Sequence, residues 1–320
     1  MELMARFIER YLHFAPSNTE PPGTFIWFLG HSYKSEDSRW PEEFLLDSFS
    51  LITITYRSGI EGLENLASDA GWGCMIRSTQ TLLANTIRKL YPEKPFFSIV
   101  NLFADEPAAP FSIHQFVSVG KQACDIPPGQ WFGPSASSAC VSRLCEQYDG
   151  LDLNVYVAKH GTSVYRDQLF QKPFPILLLI PTRLGIDAVN EIYYEQILRV
   201  FEIPSFVGIT GGRPRSAHYF YARQNHQLFY LDPHCTFSAH TTTQPASEDT
   251  FHTASLRRIS LQELDPCMVF GFLLRNSDEA EEFEQHQKKI ADIVQYFDVE
   301  PKVFDSHDDF VMDDNFDDCF

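Results

Sequence analysis

The sequence predicts an α+β fold with a mostly antiparallel sheet. Apolar residues recur at helical spacing mainly in the first half of the chain, whereas strand-like patterns concentrate after residue 150. These later patterns follow one another like the strands of hairpins, not like strand–helix–strand units. The chain has 320 residues, of which 44% are hydrophobic and 21% charged, so it can bury a sizeable core as one large or two smaller domains.

The predicted helices are separated by loops rich in proline and glycine. After Cys74, apolar residues return every three to four positions as far as Leu90, which predicts a helix with one buried face. The segment 49–56 fits either a strand or a buried helix. In chain order the predicted helices span 1–14, 75–90, 113–123, 135–147, 190–200 and 277–296.

The predicted strands are short runs rich in β-branched, aromatic or aliphatic residues. Residues 151–157 alternate apolar and polar side chains, and 176–180 is a continuous apolar run. The remaining predicted strands span 206–210, 218–222, 228–232 and 268–274.

The domain organisation is predicted from the position of loops rich in proline and glycine and from the distribution of charge. Residues 1–300 are expected to form a single domain, within which 113–185 lies between two punctuated stretches and can form a small subdomain. Residues 301–320 are expected to be an acidic, disordered tail, because 305–320 contains seven aspartates and no lysine or arginine.

Charge and cysteine usage narrow the class of protein. A formal net charge of −18 argues against a nucleic-acid-binding surface, and no apolar run approaches the roughly 20 residues of a membrane helix. The N-terminus lacks the charged-then-apolar order of a secretory signal. Seven cysteines without a C-x-x-C pair favour free thiols in a reducing compartment, so a cytoplasmic protein is expected.

Cys74 lies in the segment Ser68-Asp-Ala-Gly-Trp-Gly-Cys-Met-Ile-Arg77, between a glycine-rich turn and a helix. Gly71 and Gly73 allow a sharp turn and leave little bulk around the thiol. The N–H groups at a helix N-terminus carry partial positive charge and favour a thiolate. This segment alone is compatible with a nucleophile and equally with a buried structural cysteine.

Asp232 and His234 follow a predicted strand and are two residues apart, so in an extended segment they point to the same side. A carboxylate beside an imidazole can orient the ring and stabilise its protonated form. The pair therefore suits a Cys–His–Asp hydrolase, in which an ion-paired thiolate attacks a carbonyl. The alternative is a turn in which His234 is incidental.

Phosphate and metal sites are less well supported. The segment 210–214 is rich in glycine but lacks both the Walker spacing and the G-x-G-x-x-G pattern, so a plain loop is favoured. Cys140 and Cys145 have no matching pair at zinc-site spacing and are better interpreted as the buried face of a helix. No cofactor and no metal are expected.

Five blocks in a fixed order resemble the autophagins, the autophagy-related cysteine proteases that process a ubiquitin-like modifier. The similarity runs from about residue 25 to residue 292, and the blocks around Cys74 and His234 are the most specific. The family has a papain-like core with a small extra subdomain, which agrees with the α+β prediction. The blocks are Tyr56-Arg57, Ser68 to Arg77, Gln130 to Pro134, Gly211 to Phe220 and Tyr230 to His234.

The resemblance implies a role for each matching residue in the reaction. Cys74 corresponds to the nucleophile, His234 to its base and acid partner, and Asp232 to the residue that orients His234. Tyr56 corresponds to a tyrosine whose hydroxyl helps the main-chain N–H of the cysteine to bind the oxyanion.

The resemblance also implies a covered cleft. Trp131 corresponds to a tryptophan over the cleft. Gly212, Arg213 and Pro214 correspond to a loop that closes the empty cleft and lifts for the substrate tail.

The function implied is cleavage after a C-terminal glycine of the modifier, together with its release from phosphatidylethanolamine. Contact with autophagic membranes would be transient and made through the lipidated substrate. One alternative is a papain-like protease for another ubiquitin-like protein. The other is a non-catalytic module that binds the modifier, against which the intact Cys74, Asp232 and His234 argue.

Two features near the site and the C-terminus remain open. The family pattern Asp-Pro-His-x-x-Gln is broken here, because Phe237 takes the glutamine position and Gln244 follows later, as after an insertion. Residues 296–299 (Tyr-Phe-Asp-Val) fit an aromatic-x-x-aliphatic docking motif that adds a strand to a partner's sheet. They fit better the last buried residues of the final helix, because the pattern is short and common.

Overall fold

The structure is a computed structural model that describes residues 17–159, 161–213 and 216–301. The predicted helix at 1–14, Pro214 and the acidic tail beyond residue 301 lie outside the described residues. In chain order the helices are α1 (Glu42–Ser50), α2 (Cys74–Leu90), α3 (Phe96–Val100), α4 (Ile113–Ala123), α5 (Pro134–Gln147), α6 (Arg166–Leu169), α7 (Tyr194–Val200) and α8 (Ser277–Gln287).

The strands are also numbered in chain order. They are β1 (Phe25–Phe28), β2 (His31–Lys34), β3 (Tyr56–Ser58), β4 (Asn154–Val157), β5 (Ser163–Tyr165), β6 (Ile176–Arg183), β7 (Phe206–Gly211), β8 (His218–Gln224), β9 (Gln227–Leu231), β10 (Thr236–Ser238), β11 (Arg257–Ser260), β12 (Cys267–Leu274) and β13 (Gln295–Phe297).

A nine-stranded sheet forms the centre of the fold. Its main path runs β11-β9-β8-β7-β12-β6-β4, and β1 joins it by pairing with β8 and β2. Every pairing in this sheet is antiparallel except that of β4 with β6. The predicted α+β class with a mostly antiparallel sheet is therefore confirmed.

Apolar clusters cover both faces of this sheet. Leu177 and Leu179 of β6 belong to the cluster that includes α2, whereas Leu178 and Ile180 belong to the cluster that includes α7 and α8. Successive strand residues point to opposite faces, so a strand covered on both sides must be apolar throughout. This explains the uninterrupted apolar run of β6.

Helix α2 is buried around its whole circumference from Cys74 to Ile87, so the predicted single buried face is wrong. Its polar side chains take the place of a neighbouring strand for the extended residues 51–55. The Asn85 side chain accepts from Ile52 N (3.0 Å) and donates to Ile52 O (2.8 Å). Thr81 Oγ1 accepts from Ile54 N at 3.0 Å. These bonds satisfy buried main-chain groups that would otherwise be unpaired.

The end of the described chain differs from the prediction of one helix over 277–296. Helix α8 ends at Gln287, and β13 pairs in parallel with β5. Tyr296 is partly buried and packs edge-on against Phe283 at 6.2 Å. Val299 is 63% exposed. Tyr296 thus packs against the core, but from strand β13 and not from the final helix, and Val299 is exposed, so the preferred interpretation holds only for the packing of Tyr296.

Other local predictions had mixed outcomes. The β1–β2 hairpin was not predicted, and only 194–200 of the predicted helix 190–200 is α-helical. Among the described cysteines, Cys267 is disulfide-bonded, so the expectation of free thiols is wrong there. Among the described residues, none of the helices combines the length and apolar character needed to cross a membrane. The subdomain boundaries at 113–185 stay a prediction.

Candidate active site

Cys74 is the first residue of α2 and is only 1% exposed. The turn before it is closed by two hydrogen bonds from Trp72 N and Gly73 N to Asp69 O. Gly71 adopts a φ of +90°, and a Cβ on Gly73 would lie 2.8 Å from the Asp69 side chain. Both glycines are therefore required for the turn that points the chain into the helix.

A buried ion network supports this turn. The fully buried guanidinium of Arg77 contacts Asp69 Oδ2 (2.6 Å) and Asp105 Oδ1 (2.8 Å). Asp69 Oδ1 also accepts from Arg57 N at 2.7 Å, which ties β3 and Tyr56 to the same turn. Sequence reasoning assigned no role to Arg77. The only hint in the sequence that Arg77 could be buried was its position in a stretch of helix α2 whose other residues are apolar or uncharged.

His234 and Asp232 lie just beyond the end of β9. Asp232 Oδ1 accepts hydrogen bonds from His234 Nδ1 (2.6 Å) and His234 N (3.1 Å). The His234 side chain is also hydrogen-bonded to that of Cys74. Asp232 Oδ2 pairs with Arg257 Nη1 at 2.8 Å, a partner that the sequence did not suggest. The structure therefore brings Cys74, His234 and Asp232 into one hydrogen-bonded chain.

The pKa values of these groups favour an ion pair. Burial lowers the pKa of His234, but the bonds to Asp232 and Cys74 outweigh it and raise the pKa to about 9. Burial raises the pKa of the Cys74 thiol, but its hydrogen bonds outweigh burial and leave the pKa below its ordinary value. The pKa of Asp232 lies well below its usual range, because its bonds with His234 outweigh its burial. Both shifts move the pair towards a thiolate beside an imidazolium.

Tyr56 lies on β3 and is 5% exposed. Its hydroxyl interacts with the Cys74 side chain and with the Gly71 main chain, and its ring packs edge-on against that of His234 at 5.3 Å. Burial, followed by the nearby Cys74, raises its pKa well above the ordinary value. The hydroxyl therefore stays protonated and available as a hydrogen-bond donor beside the sulfur.

Trp131 lies in the loop between α4 and α5 and is partly buried against the core. Its Nε1–H donates to Cys74 Sγ at 3.3 Å, so the indole contacts the candidate nucleophile directly. The neighbouring Phe132 is 1% exposed and packs against Gly120, where a Cβ would lie 2.3 Å from its ring. The buried Phe132 thus anchors the loop that carries Trp131.

The loop after β7 reaches the same site. Gly212 adopts a φ of +77°, and its N–H and C=O pair with Cys267 O and Asp265 N. Farther along, Ser216 Oγ lies 3.4 Å from His234 Nε2, and the Ala217 main chain forms a hydrogen bond with Cys74. Sequence reasoning missed Ser216 and Ala217, although both lie in a block quoted for the family resemblance.

Arg213, which precedes Ser216 in this loop, is partly exposed, and its C=O accepts from Ser216 N at 3.2 Å. Its charge acts on the nearby ring of His218. Pro214 lies outside the described residues.

The segment after His234 pairs with β3 and then leaves the site. Strand β10 runs parallel to β3, with Phe237 opposite Arg57. Gln244 is exposed in a turn in which its main-chain N–H donates to Thr241 Oγ1. Gln244, the next glutamine after Phe237, is therefore on the surface.

A set of ring nitrogens and a carboxylate oxygen lies close enough to be considered for metal binding. Ligand atoms of His218, Asp232 and His234 all lie within 4.8 Å of one another. Asp232 already pairs with Arg257 and His234, and the arginine charge disfavours a cation there. A hydrogen-bonded catalytic chain fits these residues better than a metal centre does.

Comparison with known proteins gives a consistent match. The model of the peptidase C54 catalytic domain matches residues 41–286. A protein of Schizosaccharomyces pombe described as a probable cysteine protease atg4 is 71% identical over 318 residues, which cover 99% of each chain. The cysteine protease atg4 of Emericella nidulans is 37% identical, with 84% of each chain covered. A probable cysteine protease ATG4 of Coccidioides immitis is 36% identical over 86% of this chain and 74% of its own.

Proposed function

The chain belongs to the peptidase C54 family of Atg4 cysteine proteases and has their papain-like α+β fold, and on that premise we propose its substrate and catalytic residues. The substrate is a ubiquitin-like autophagy modifier, which the enzyme cuts after a C-terminal glycine. The same site releases the modifier from phosphatidylethanolamine. The observation that carries the proposal is the hydrogen-bonded chain Cys74–His234–Asp232, with the pKa of the thiol lowered and that of the imidazole raised.

The proposed reaction is acyl transfer through a thioester. The Cys74 thiolate attacks the glycine carbonyl carbon, and the C–N bond to the leaving amine breaks as His234 gives that amine its proton. His234 then takes a proton from the water that attacks the thioester carbonyl carbon, and the C–S bond breaks with Cys74 leaving as the thiolate. The glycine acid so formed loses its proton to solvent and departs as the carboxylate. Asp232 holds the ring and stabilises its protonated form throughout.

The oxyanion formed by this attack is assigned two donors. They are the Tyr56 hydroxyl and the main-chain N–H of Cys74, which is also at a helix N-terminus. A well-placed donor of this kind lowers the barrier by roughly 3 kcal/mol. The contact of Tyr56 with the Cys74 side chain supports this role.

Trp131 and the loop of Gly212, Arg213 and Pro214 are assigned the closure of the cleft. The Trp131 N–H donates a hydrogen bond to Cys74 Sγ, which places the indole beside the sulfur, so a substrate carbonyl must displace the indole before attack. A glycine-ended tail is the slimmest that can pass. This selectivity, together with transient contact through a lipidated substrate, suits an enzyme that works in the cytoplasm on autophagic membranes.

The experiment that tests the proposal uses a recombinant modifier with a C-terminal extension, followed by intact mass spectrometry. The wild type is expected to give one product that ends at the glycine, and Cys74→Ala is expected to give none while still binding the modifier. Cys235→Ala is the matched control, because Cys235 is a free, exposed thiol next to His234. It should cut at the wild-type rate.

Two further arms separate the alternatives. A panel of tagged ubiquitin-like proteins distinguishes the autophagy modifier from another member of that class. Vesicles that carry the modifier on phosphatidylethanolamine test the release reaction. Binding without cleavage in every arm would contradict the proposal and leave a non-catalytic binding module.

A further inference from the structure

His218 lies beside the catalytic chain, and none of the roles proposed above includes it. It is the first residue of β8, opposite Gly211 of β7, and is 3% exposed. A polar ring buried this deeply usually has a structural or functional reason, because leaving water without good partners costs free energy.

The neighbours of this ring are the catalytic groups themselves. His218 Nε2 is 3.6 Å from Asp232 Oδ1, the same oxygen that accepts the Nδ1 bond of His234. The His218 ring packs edge-on against Tyr230 at 4.5 Å and lies 5.2 Å from the ring of His234. It therefore packs against both members of the Asp232–His234 pair.

His218 stays uncharged in this position. Burial lowers its pKa to about 4, with Asp232 opposing this effect and with the charges of His234 and Arg213 adding to it. The charged groups that face it are those three and, across the Asp232 carboxylate, Arg257. An uncharged ring does not compete with the His234 imidazolium for the aspartate charge, whereas a second cation would weaken that ion pair.

We propose that His218 is a positioning residue, whose buried ring keeps Asp232 Oδ1 at hydrogen-bond distance from His234 Nδ1. This inference rests on the catalytic roles proposed above. The ring acts through its Nε2, 3.6 Å from the carboxylate, and through its packing against Tyr230 and His234.

The test compares His218→Phe, which keeps a ring but removes Nε2, with His218→Gln, which keeps an N–H that can reach Asp232. The first readout is the rate of Cys74 alkylation by iodoacetamide between pH 5 and 10, read on the Cys74 peptide by mass spectrometry. This readout needs no substrate, so it remains valid if the proposed modifier is not cut. The second readout is kcat and KM for cleavage of the extended modifier.

In the phenylalanine variant the acid limit of Cys74 alkylation is expected to move to higher pH, because the thiolate loses part of its imidazolium support. This variant should also lose about 10-fold in kcat with KM nearly unchanged, because a 1 Å displacement of a catalytic group can cost about 100-fold and a smaller displacement is expected here. The glutamine variant should stay within about threefold of wild type, because its side-chain N–H can take the place of Nε2 beside Asp232 Oδ1. Tyr219→Phe is the matched control. Tyr219 follows His218 in the chain, and the substitution removes a buried hydroxyl that donates to Val207 O, so both readouts should stay unchanged.

Two results would overturn the proposal. One is a wild-type alkylation profile in His218→Phe. The other is an equal loss in the phenylalanine and glutamine variants, which would show that only the shape of the imidazole matters. His218→Met takes the place of His218→Phe if the phenylalanine variant is not folded by circular dichroism.

Discussion

Replacing Asp232 by asparagine tests the electrostatic support of His234. The substitution keeps the shape of the side chain but removes the negative charge of the carboxylate, whose Oδ1 accepts both hydrogen bonds from His234. His234 is mostly buried, with 29% of its side chain exposed, and Arg257 is left with nearly half of its surface in solvent. We therefore expect a folded protein with a weakened thiolate–imidazolium pair.

The magnitude follows from the pKa of His234. Its value of about 9 lies above the ordinary 6.5, and at about 1.4 kcal/mol per unit the protonated ring is favoured by about 3 kcal/mol. Asp232 and Cys74 share this energy. Loss of the larger part of it corresponds to a fall in kcat of about 100-fold.

The sign of the pH effect is also determined. With this raised pKa, His234 in the folded protein keeps its proton until the pH approaches about 9. The stability that this charge gives to the fold is complete below about pH 6.5 and is lost as the pH rises from there through about 9. In Asp232→Asn, His234 should therefore lose its proton at lower pH, so the alkaline limit of cleavage should move to lower pH and the acid limit of Cys74 alkylation to higher pH. The assays are kcat for cleavage and iodoacetamide alkylation of Cys74, each against pH, beside thermal unfolding at neutral pH.

Asp47→Asn is the matched control, because Asp47 accepts a hydrogen bond from Tyr33 at a site that does not include the catalytic chain. An unchanged alkylation profile and kcat in Asp232→Asn, at unchanged thermal stability, would refute the reasoning and make Asp232 a turn residue only.

Three further predictions concern the surroundings of the site and the end of the fold. Arg77→Met leaves two buried carboxylates without their cation and should lower the free energy of unfolding in urea by about 4 kcal/mol; a loss below 1 kcal/mol would contradict the buried ion network. Trp131→Phe removes the N–H that supports the thiolate, so the pKa of Cys74 should rise and the acid limit of its alkylation should move to higher pH; no movement would exclude that contact in solution. Tyr296→Ala should lower the free energy of unfolding by about 2 kcal/mol, because the ring packs against the core, whereas Val299→Ala should lower it by almost nothing. Neither variant should weaken modifier binding. Weaker binding at unchanged stability would instead support a docking motif.

The sequence predicted those parts of the site that depend on local geometry. Asp232 and His234 are two residues apart in an extended segment, so their common orientation follows from strand geometry alone. Cys74 could be placed at a helix start from its glycines and the spacing that follows. The family resemblance then linked segments that are more than 150 residues apart.

Features that depend on tertiary contacts could not be predicted in this way. Arg257 reaches Asp232 only because β11 pairs with β9, and Arg77 is buried only because Asp69 and Asp105 meet it there. The sequence keeps helical spacing beyond Gln287, where α8 ends, yet the following residues form β13, which pairs with β5. A local pattern carries no information about such distant partners.

The identity of the nucleophile and its substrate can be tested together by covalent capture. A modifier whose C-terminal glycine is replaced by an α,β-unsaturated methyl ester, which a thiolate adds to as a stable thioether, is incubated with the wild-type enzyme, and the adduct is located by peptide mapping. The proposed function predicts one adduct, on Cys74, whose yield falls when His234 is replaced by phenylalanine. An adduct on the exposed Cys235, or an adduct on Cys74 that forms equally well without His234, would contradict it.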